Sequence, residues 1–583
     1  MDAHRSTYTE TTLRDAATVM APDRLGAMHQ NRISFVRSLI RKMASQEWQV
    51  SKHEWKLCPR GFGHVIYKLE TPENVYHLVV FCDEIADEER NDRVIAEKWD
   101  VTFALVKGDV HVELLEQLRA NVPLQEAGRN PNNVLVLARA NKSVRVFEHL
   151  VAALAKGEQP DPTELAEVGY ILRTTAVYGN GKFGIADFKL LENNPDFNQS
   201  FSAQMCAVYM LREFSLDWVH YLAQQQGGDK AIALHKGLQR YLGVGNATGL
   251  GMAPYLINHP CIVDQWMTSR ERAIAQVLSM RCESQQEVPL IALLAKAQRH
   301  LEQVITINEH QDQLNHKAIE DIQALQINLN ALMAKHVNWA SLIKQTTTMS
   351  LEAQEILTSC LIELYPALVD EFENQMNTDE SLSISGGKSV QDVSQILESK
   401  YRWSIDADYS LPENNYWFWY RSQDKEEPRL GVRGEEIGEE RELPLDIGRQ
   451  VNRLYHALKT CQPDTSLAEF LLQHPQYRSI TRRVWTLGNR EMGDIQMNVL
   501  RKDALPMHLL RCKLAMFGAT KFDPRSDRWV RVTFFQGAPL WDEINEPEYT
   551  DSWIFPTMPE CEDIARSDNQ KLMGVLHNDR FSQ

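Results

Sequence analysis

No GxSxG, HExxH, EF-hand or kinase signature occurs in this 583-residue chain, which removes the better-known catalytic classes without naming a replacement. Residues 386–389 read GGKS, yet Leu382 stands five residues upstream of the Gly-Lys pair, where a P-loop requires glycine. Nine cysteines lie singly at 58, 82, 206, 261, 282, 360, 461, 512 and 561. Without a CxxC pair they argue against a zinc knuckle, a redox dithiol or a disulfide framework, and most read as small buried apolar residues. Apolar runs such as 76–82 are far short of the roughly 20 residues of a spanning helix, and the opening MDAHRSTYTE has no apolar signal core. The expectation is a soluble, cytoplasmic protein with no membrane partner. A formal net charge of −17 also disfavours nucleic acid, which is bound through basic surfaces.

What is present is a long chain with 43% apolar residues, enough for several domains' worth of core. A helical segment is expected over 1–47. From 48 to 194 the runs at 64–70, 75–81 and 101–106 are rich in β-branched and aromatic residues and predict a small sheet, followed by helix around 144–157. Residues 195–375 predict an all-helical insert. Within it Leu294, Ala297, Leu301, Val304 and Ile307, then Leu314, Ala318, Ile322, Leu325, Leu329 and Leu332, form a near-heptad seam on a long helix or helical hairpin. A polar, Ser/Gly-rich linker is placed at 376–397, a second β-rich region at 398–540 and a tail at 541–583.

Collinear self-matches connect the first and last thirds. PLQEAGR at 123–129 answers PLDIGR at 444–449, and 149–167 answers 456–469. RTTAVYGNGKFG at 173–184 shares the spacing of Arg, Gly, Asn and Gly with 482–493. The fold class expected is therefore α+β, helix-dominated, with two diverged copies of one unit flanking the insert. Two such copies bring equivalent loops across a shared cleft, where ligand pockets concentrate.

Three segments carry chemistry. Arg173, Thr174, Thr175, Tyr178, Asn180 and Lys182 lie in or beside a Gly-rich turn; their cations, hydroxyls and backbone donors suit a carboxylate or phosphate. The plainer reading is a helix stopped by Gly179 with Arg173 in a structural ion pair. The second segment, 241–260, has glycines at 243, 245, 249 and 251 and reads as a loop feeding a helix N-terminus, with Gly245, Asn246, Thr248, Asn258 and His259 exposed to a ligand. No strand is expected before it, which argues against a dinucleotide site; tight packing is the alternative. In the third, Lys521, Asp523, Arg525, Asp527 and Arg528 read as a salt-bridge network. The second copy keeps Arg482 and Asn489 and places Glu491 where Lys182 stands. Asp312 and His316 have metal-ligand spacing beside Glu309 and His310, but no second cluster completes a site, so neither a metal nor an organic cofactor is expected.

The function these residues point to is an enzyme that binds a small anionic metabolite. Arg173, Thr174, Thr175, Asn180, Gly245, Asn246, Thr248, Arg482 and Asn489 would hold the ligand. Tyr178, Lys182, His259 and Glu491 would supply acid/base chemistry of a lyase, hydrolase or isomerase type. The alternative is a scaffold or ligand sensor that assembles through the helical insert, with a homodimer possible in either reading.

Overall fold

A computed structural model describes residues 13–566 apart from 29–30, 86–98, 124–129, 175–183, 186–193, 198–200, 250–254, 281–285, 305, 307–308, 334–337, 374–375, 377–379, 412–413, 415–418, 421–428, 431–446, 497–505, 525–528 and 547–552. Helix takes up 56% and strand 15%, so the helix-dominated α+β class holds.

One mixed sheet runs through the molecule. Its strands are β1 (Gln49–Leu57), β2 (Gly63–Glu70), β3 (Val75–Cys82), β4 (Val101–Lys107), β5 (Val134–Lys142), β6 (Tyr170–Thr174), β7 (Gly184–Ile185), β8 (Gly243–Gly249), β11 (Ala519–Pro524) and β12 (Trp529–Phe534), while β9 (Trp419–Tyr420) and β10 (Arg429–Leu430) form a separate pair. The order is β1-β2-β3-β4-β5-β6-β8-β12-β11, with β7 also on β5. Neighbours are antiparallel except β6 and β8.

The helices that matter below are α1 (Phe35–Ser45), α2 (Val112–Asn121), α3 (Phe147–Lys156), α4 (Pro162–Val168), α5 (Ser202–Gly227), α6 (Pro260–Ser279), α7 (Glu287–Gln303), α8 (Glu309–Met333), α9 (Leu351–Glu363), α10 (Ile447–Lys459), α11 (Leu467–Gln473), α12 (Arg478–Gly488) and α13 (Pro506–Phe517). Strands β3 and β4 are apolar without alternation because both faces are covered. Leu78, Val80, Phe103 and Leu105 join the main core, whereas Val79, Phe81, Ala104 and Val106 meet Leu114 and Leu118 of α2. Helix α5 is about 39 Å long and buried along most of its circumference, which explains why its sequence shows no polar face. It carries the chain from the β6 side of the sheet to β8, the long crossover that a parallel pair requires.

The seam of the insert closes on itself. Leu294, Ala297 and Leu301 of α7 pack with Ala318, Ile322, Leu325 and Leu329 of α8, and Ile356, Leu357 and Cys360 of α9 cover them. Nearby, Glu355 accepts from Arg14 at 2.9 Å and Arg24 at 2.6 Å and pairs with Arg270 at 2.7 Å. Burial opposes its charge, but the three guanidinium groups hold it well below the usual carboxylate range.

The expected insert and linker require correction, and the expected duplication is not shown. The insert is not all helix: residues 243–249 are strand β8 inside the sheet, between β6 and β12. Nor does the fold show a duplication. The matched strings agree for two elements, since α3 and α4 correspond to α10 and α11. They then diverge, because Arg173 lies in strand β6 and Arg482 in helix α12. A string of seven residues constrains helix and turn chemistry but not which neighbour completes a strand. The linker placed at 376–397 also ends in structure: Ser389 of the GGKS run caps the helix Val390–Lys400 in a reciprocal capping box with Asp392.

Candidate functional site

Arg173 lines a cleft with Lys142, Ser143, Val144, Arg145, Val168, Tyr170 and Arg531. Its floor is set by the strand pairing. β6 runs beside β5 with Arg173 opposite Asn141, and beside β8 with Arg173 opposite Gly245. Beyond β8 lies β12, with Arg531 opposite Ala247. The register of β6 against β8 shifts between Tyr170 and Leu172. Such a bulge reverses the alternation of side chains. Tyr170 and Arg173 therefore share the cleft face while Ile171 and Leu172 are fully buried beneath.

Gly245 makes this arrangement possible. A Cβ there would lie 2.5 Å from the ring of Tyr170, so the ring lies directly across β8. Gly243 sits equally close to the carbonyl of Phe534 on β12. Gly243 and Gly245 thus serve close approach within a sheet rather than a ligand loop.

The turn from β5 into α3 supplies the other wall. The Ser143 carbonyl accepts from Val146 at 3.3 Å and Phe147 at 3.0 Å, so Val144, Arg145 and Val146 form a turn that leads into α3 at Phe147. Lys142 is held in place: its ammonium lies 3.1 Å from Glu148 and 4.4 and 4.8 Å from the ring centroids of Phe147 and Trp218. Arg145 faces Glu167 at 3.3 Å, with both side chains more than half exposed at 60% and 52%, a pairing worth little in water. Lys521 does not enter the cleft. Its ammonium donates to the carbonyls of Ala166 at 2.6 Å and Glu167 at 3.3 Å, closing the C-terminus of α4 before Gly169. The base of the cleft encloses about 20 Å³, room for about one water-sized group, oxygen included.

Thr175, Tyr178, Asn180 and Lys182 lie outside the described residues, as does the side chain of Thr248. The other residues singled out in the sequence have the following places. Thr174 is buried and its hydroxyl donates to the Arg139 carbonyl at 3.1 Å. Asn246 is buried on β8, opposite Val532. His259 occupies the N-cap position of α6. Arg482 donates through Nε to the Leu382 carbonyl at 2.8 Å, Asn489 donates to the Trp485 carbonyl at 2.7 Å, and Glu491 pairs with Arg272 at 2.6 Å. None of these lines the cleft of Arg173. Asp312 and His316 pair at 3.5 Å on an exposed face of α8.

Around α6 the buried charge belongs instead to residues that no motif marks. Arg483 makes a two-pronged pair with Asp494, at 2.6 and 2.5 Å, to which Tyr401 adds a 3.2 Å hydrogen bond. Glu380 accepts from the first N–H groups of α6, Cys261 at 3.2 Å and Ile262 at 2.7 Å, and burial pushes its carboxyl up to about 7. Asp264 accepts from Met492 and Gly493, both at 3.0 Å, and burial raises it to about 6. Their hydrogen-bond donors are backbone N–H groups, and Arg490 also lies 3.7 Å from Asp264, so the cluster fastens the 490–495 turn to α6. Helical periodicity does separate Arg483 from Arg482, since Ile480, Val484 and Leu487 mark the inner face of α12.

Comparison with known protein families, with curated proteins and with solved structures finds no match.

Proposed function

We propose that this chain binds a small anionic metabolite, a carboxylate or phosphate, in the cleft between Lys142, Arg145, Arg173 and Arg531. The observation that carries this reading is the convergence of four cations on one cleft, from segments as far apart in sequence as the β5–α3 turn and β12. A ligand oxygen fits the base, and the remainder of the molecule stands toward Arg145. The reading does not depend on the two thirds being copies of one unit, because the four cations come from unlike elements.

Acid/base chemistry on the bound ligand falls to Tyr178 or Lys182, in the segment that follows β6. His259 and Glu491 are left out of this proposal, since neither lines the cleft. Assembly through the helical insert is the weaker reading because the seam that would carry it is already buried inside the chain.

The test is a thermal-shift and calorimetric screen of phosphate, sugar phosphates and small dicarboxylates. A ligand at about 100 times its dissociation constant raises stability by roughly 2.7 kcal/mol. Arg173→Ala and Arg531→Ala are each expected to weaken binding at least about tenfold, a loss of roughly 1.4 kcal/mol, while the ligand-free proteins melt with wild type. Undiminished binding by both variants would end the proposal for this cleft. Hits are then followed by NMR for conversion. Turnover lost in Tyr178→Phe or Lys182→Met with binding retained places the acid or base, and a ligand that binds unchanged makes the protein a sensor.

A further inference from the structure

The β11–β12 hairpin separates the cleft from a second cavity. Lys521 reaches α4 on one side of β11, while Thr520 and Phe522 line the cavity on the other, as strand alternation requires. The cavity measures about 70 Å³ and is lined by α7, α8 and α13. It has room for about five water-sized groups. Its walls are mostly apolar, with Leu514, Ala515, Phe522 and Phe555 among them.

Arg511 lines this space and is 7% exposed. Its guanidinium stands 5.6 Å from the Phe522 ring centroid, and its ion pair with Glu352 is long, at 3.5 Å. A charge-assisted pair normally closes to about 2.7–2.9 Å, and a guanidinium carries five N–H donors. Donor capacity therefore remains beyond Glu352. On another wall His300 Nδ1 lies 2.8 Å from the Pro556 carbonyl. Burial pushes that imidazole down to about 4, so it is neutral at pH 7. Arg511 is then the single charge among the described lining residues.

An apolar enclosure with one cation and a few polar groups selects a ligand with an apolar body and one negative end. We propose that this cavity binds a short aliphatic carboxylate of about four to six non-hydrogen atoms, its carboxylate on Arg511 and its alkyl chain against Ala515 and Phe522. This site is separate from the Arg173 cleft and stands or falls independently of it.

The experiment titrates the full chain, labelled with 13C-methyl methionine, with butyrate and with butyramide. Met28 lines the cavity, and its methyl resonance, assigned with Met28→Leu, reports occupancy. Butyrate is expected to move it saturably, and butyramide to bind at least about tenfold more weakly because it lacks the charge. Ala515→Leu fills the space and should abolish the shift. Should that variant not fold, Arg511→Gln is expected to erase the preference for butyrate over butyramide. Arg173→Ala should leave the butyrate response unchanged. A Met28 resonance that does not move with butyrate, or equal affinity for acid and amide in the wild type, overturns the proposal. A response lost in Arg173→Ala assigns the carboxylate to the cleft and overturns it as well.

Discussion

Arg212 has no solvent exposure, yet its guanidinium is fully occupied. It donates to the carbonyls of Leu242 at 2.9 Å, Gln239 at 3.1 Å, Arg240 at 3.2 Å, Ala538 at 3.0 Å and Pro539 at 3.1 Å, and pairs with Glu213 at 2.9 Å. From α5 it thereby fixes two loops that enter and leave the β8–β12 pairing. Arg212→Met takes its donors away from those five carbonyls and leaves the buried Glu213 without its counter-charge, and a loss of about 3–5 kcal/mol is expected in urea unfolding. Gly245 makes the complementary case, in which an absent side chain matters. Gly245→Ala forces the Tyr170 ring aside, with an expected loss of about 1–3 kcal/mol. It should also weaken anion binding at the cleft, where Tyr170 is a wall; an unchanged affinity in calorimetry would show that the ring does not shape the site.

At the scale of elements, the α7–α8 hairpin shows how a pattern read correctly leaves its partner open. Ile322 sits at the centre of the seam and is fully buried by α7 and α9. Ile322→Ala is expected to cost about 2–5 kcal/mol, as for other large-to-small core changes, and to leave the mass in light scattering where the wild type has it. A change of mass at unchanged stability would restore the assembly reading. The heptad spacing announced a covered stripe, but periodicity does not say whether the cover comes from this chain or another. Likewise the glycines at 243, 245 and 249 read as an anion-binding loop, because three glycines and an asparagine outweigh the two β-branched residues, Val244 and Thr248, that would mark β8 as a strand. Its strand state comes from β6 and β12 on either side.

For the whole molecule, buried ionisable groups set opposing slopes against pH. His220 is 3% exposed and its Nε2 accepts from the Leu234 N–H at 3.1 Å, and burial pushes it down to about 4. The unfolded chain binds protons at a higher pH than the folded one, so stability falls as pH drops from about 6.5 toward 4, by roughly 3 kcal/mol for this group. Burial likewise pushes His508 down to about 4, adding to the same slope. Glu380 and Asp264 act in the other direction. Their folded carboxyls titrate near 7 and 6, so acidification through that window favours the folded state. Glu380→Gln removes part of this compensation, and its stability is expected to fall more steeply than the wild type's between pH 7 and pH 4.5 in urea titrations. Parallel curves would remove Glu380 from the account. Among the described residues no helix is long and apolar enough to cross a membrane.

Composition and local pattern determined the helix-dominated α+β class, the two-sided burial of β3 and β4, and the covered stripe of α7 and α8. These follow from side-chain polarity at fixed spacing, which the chain carries wherever it folds. Arg173 was also visible as a cation in an unusual setting. Only the tertiary structure decided that its neighbours are Lys142, Arg145 and Arg531, because strand order brings β12 to within one strand of β6 from some 350 residues away. It likewise decided that Arg482, Asn489 and Glu491 stand elsewhere, and that β8 belongs to the sheet. A strand's partners are chosen by hydrogen bonds between distant backbones, and no local run of side chains encodes that choice.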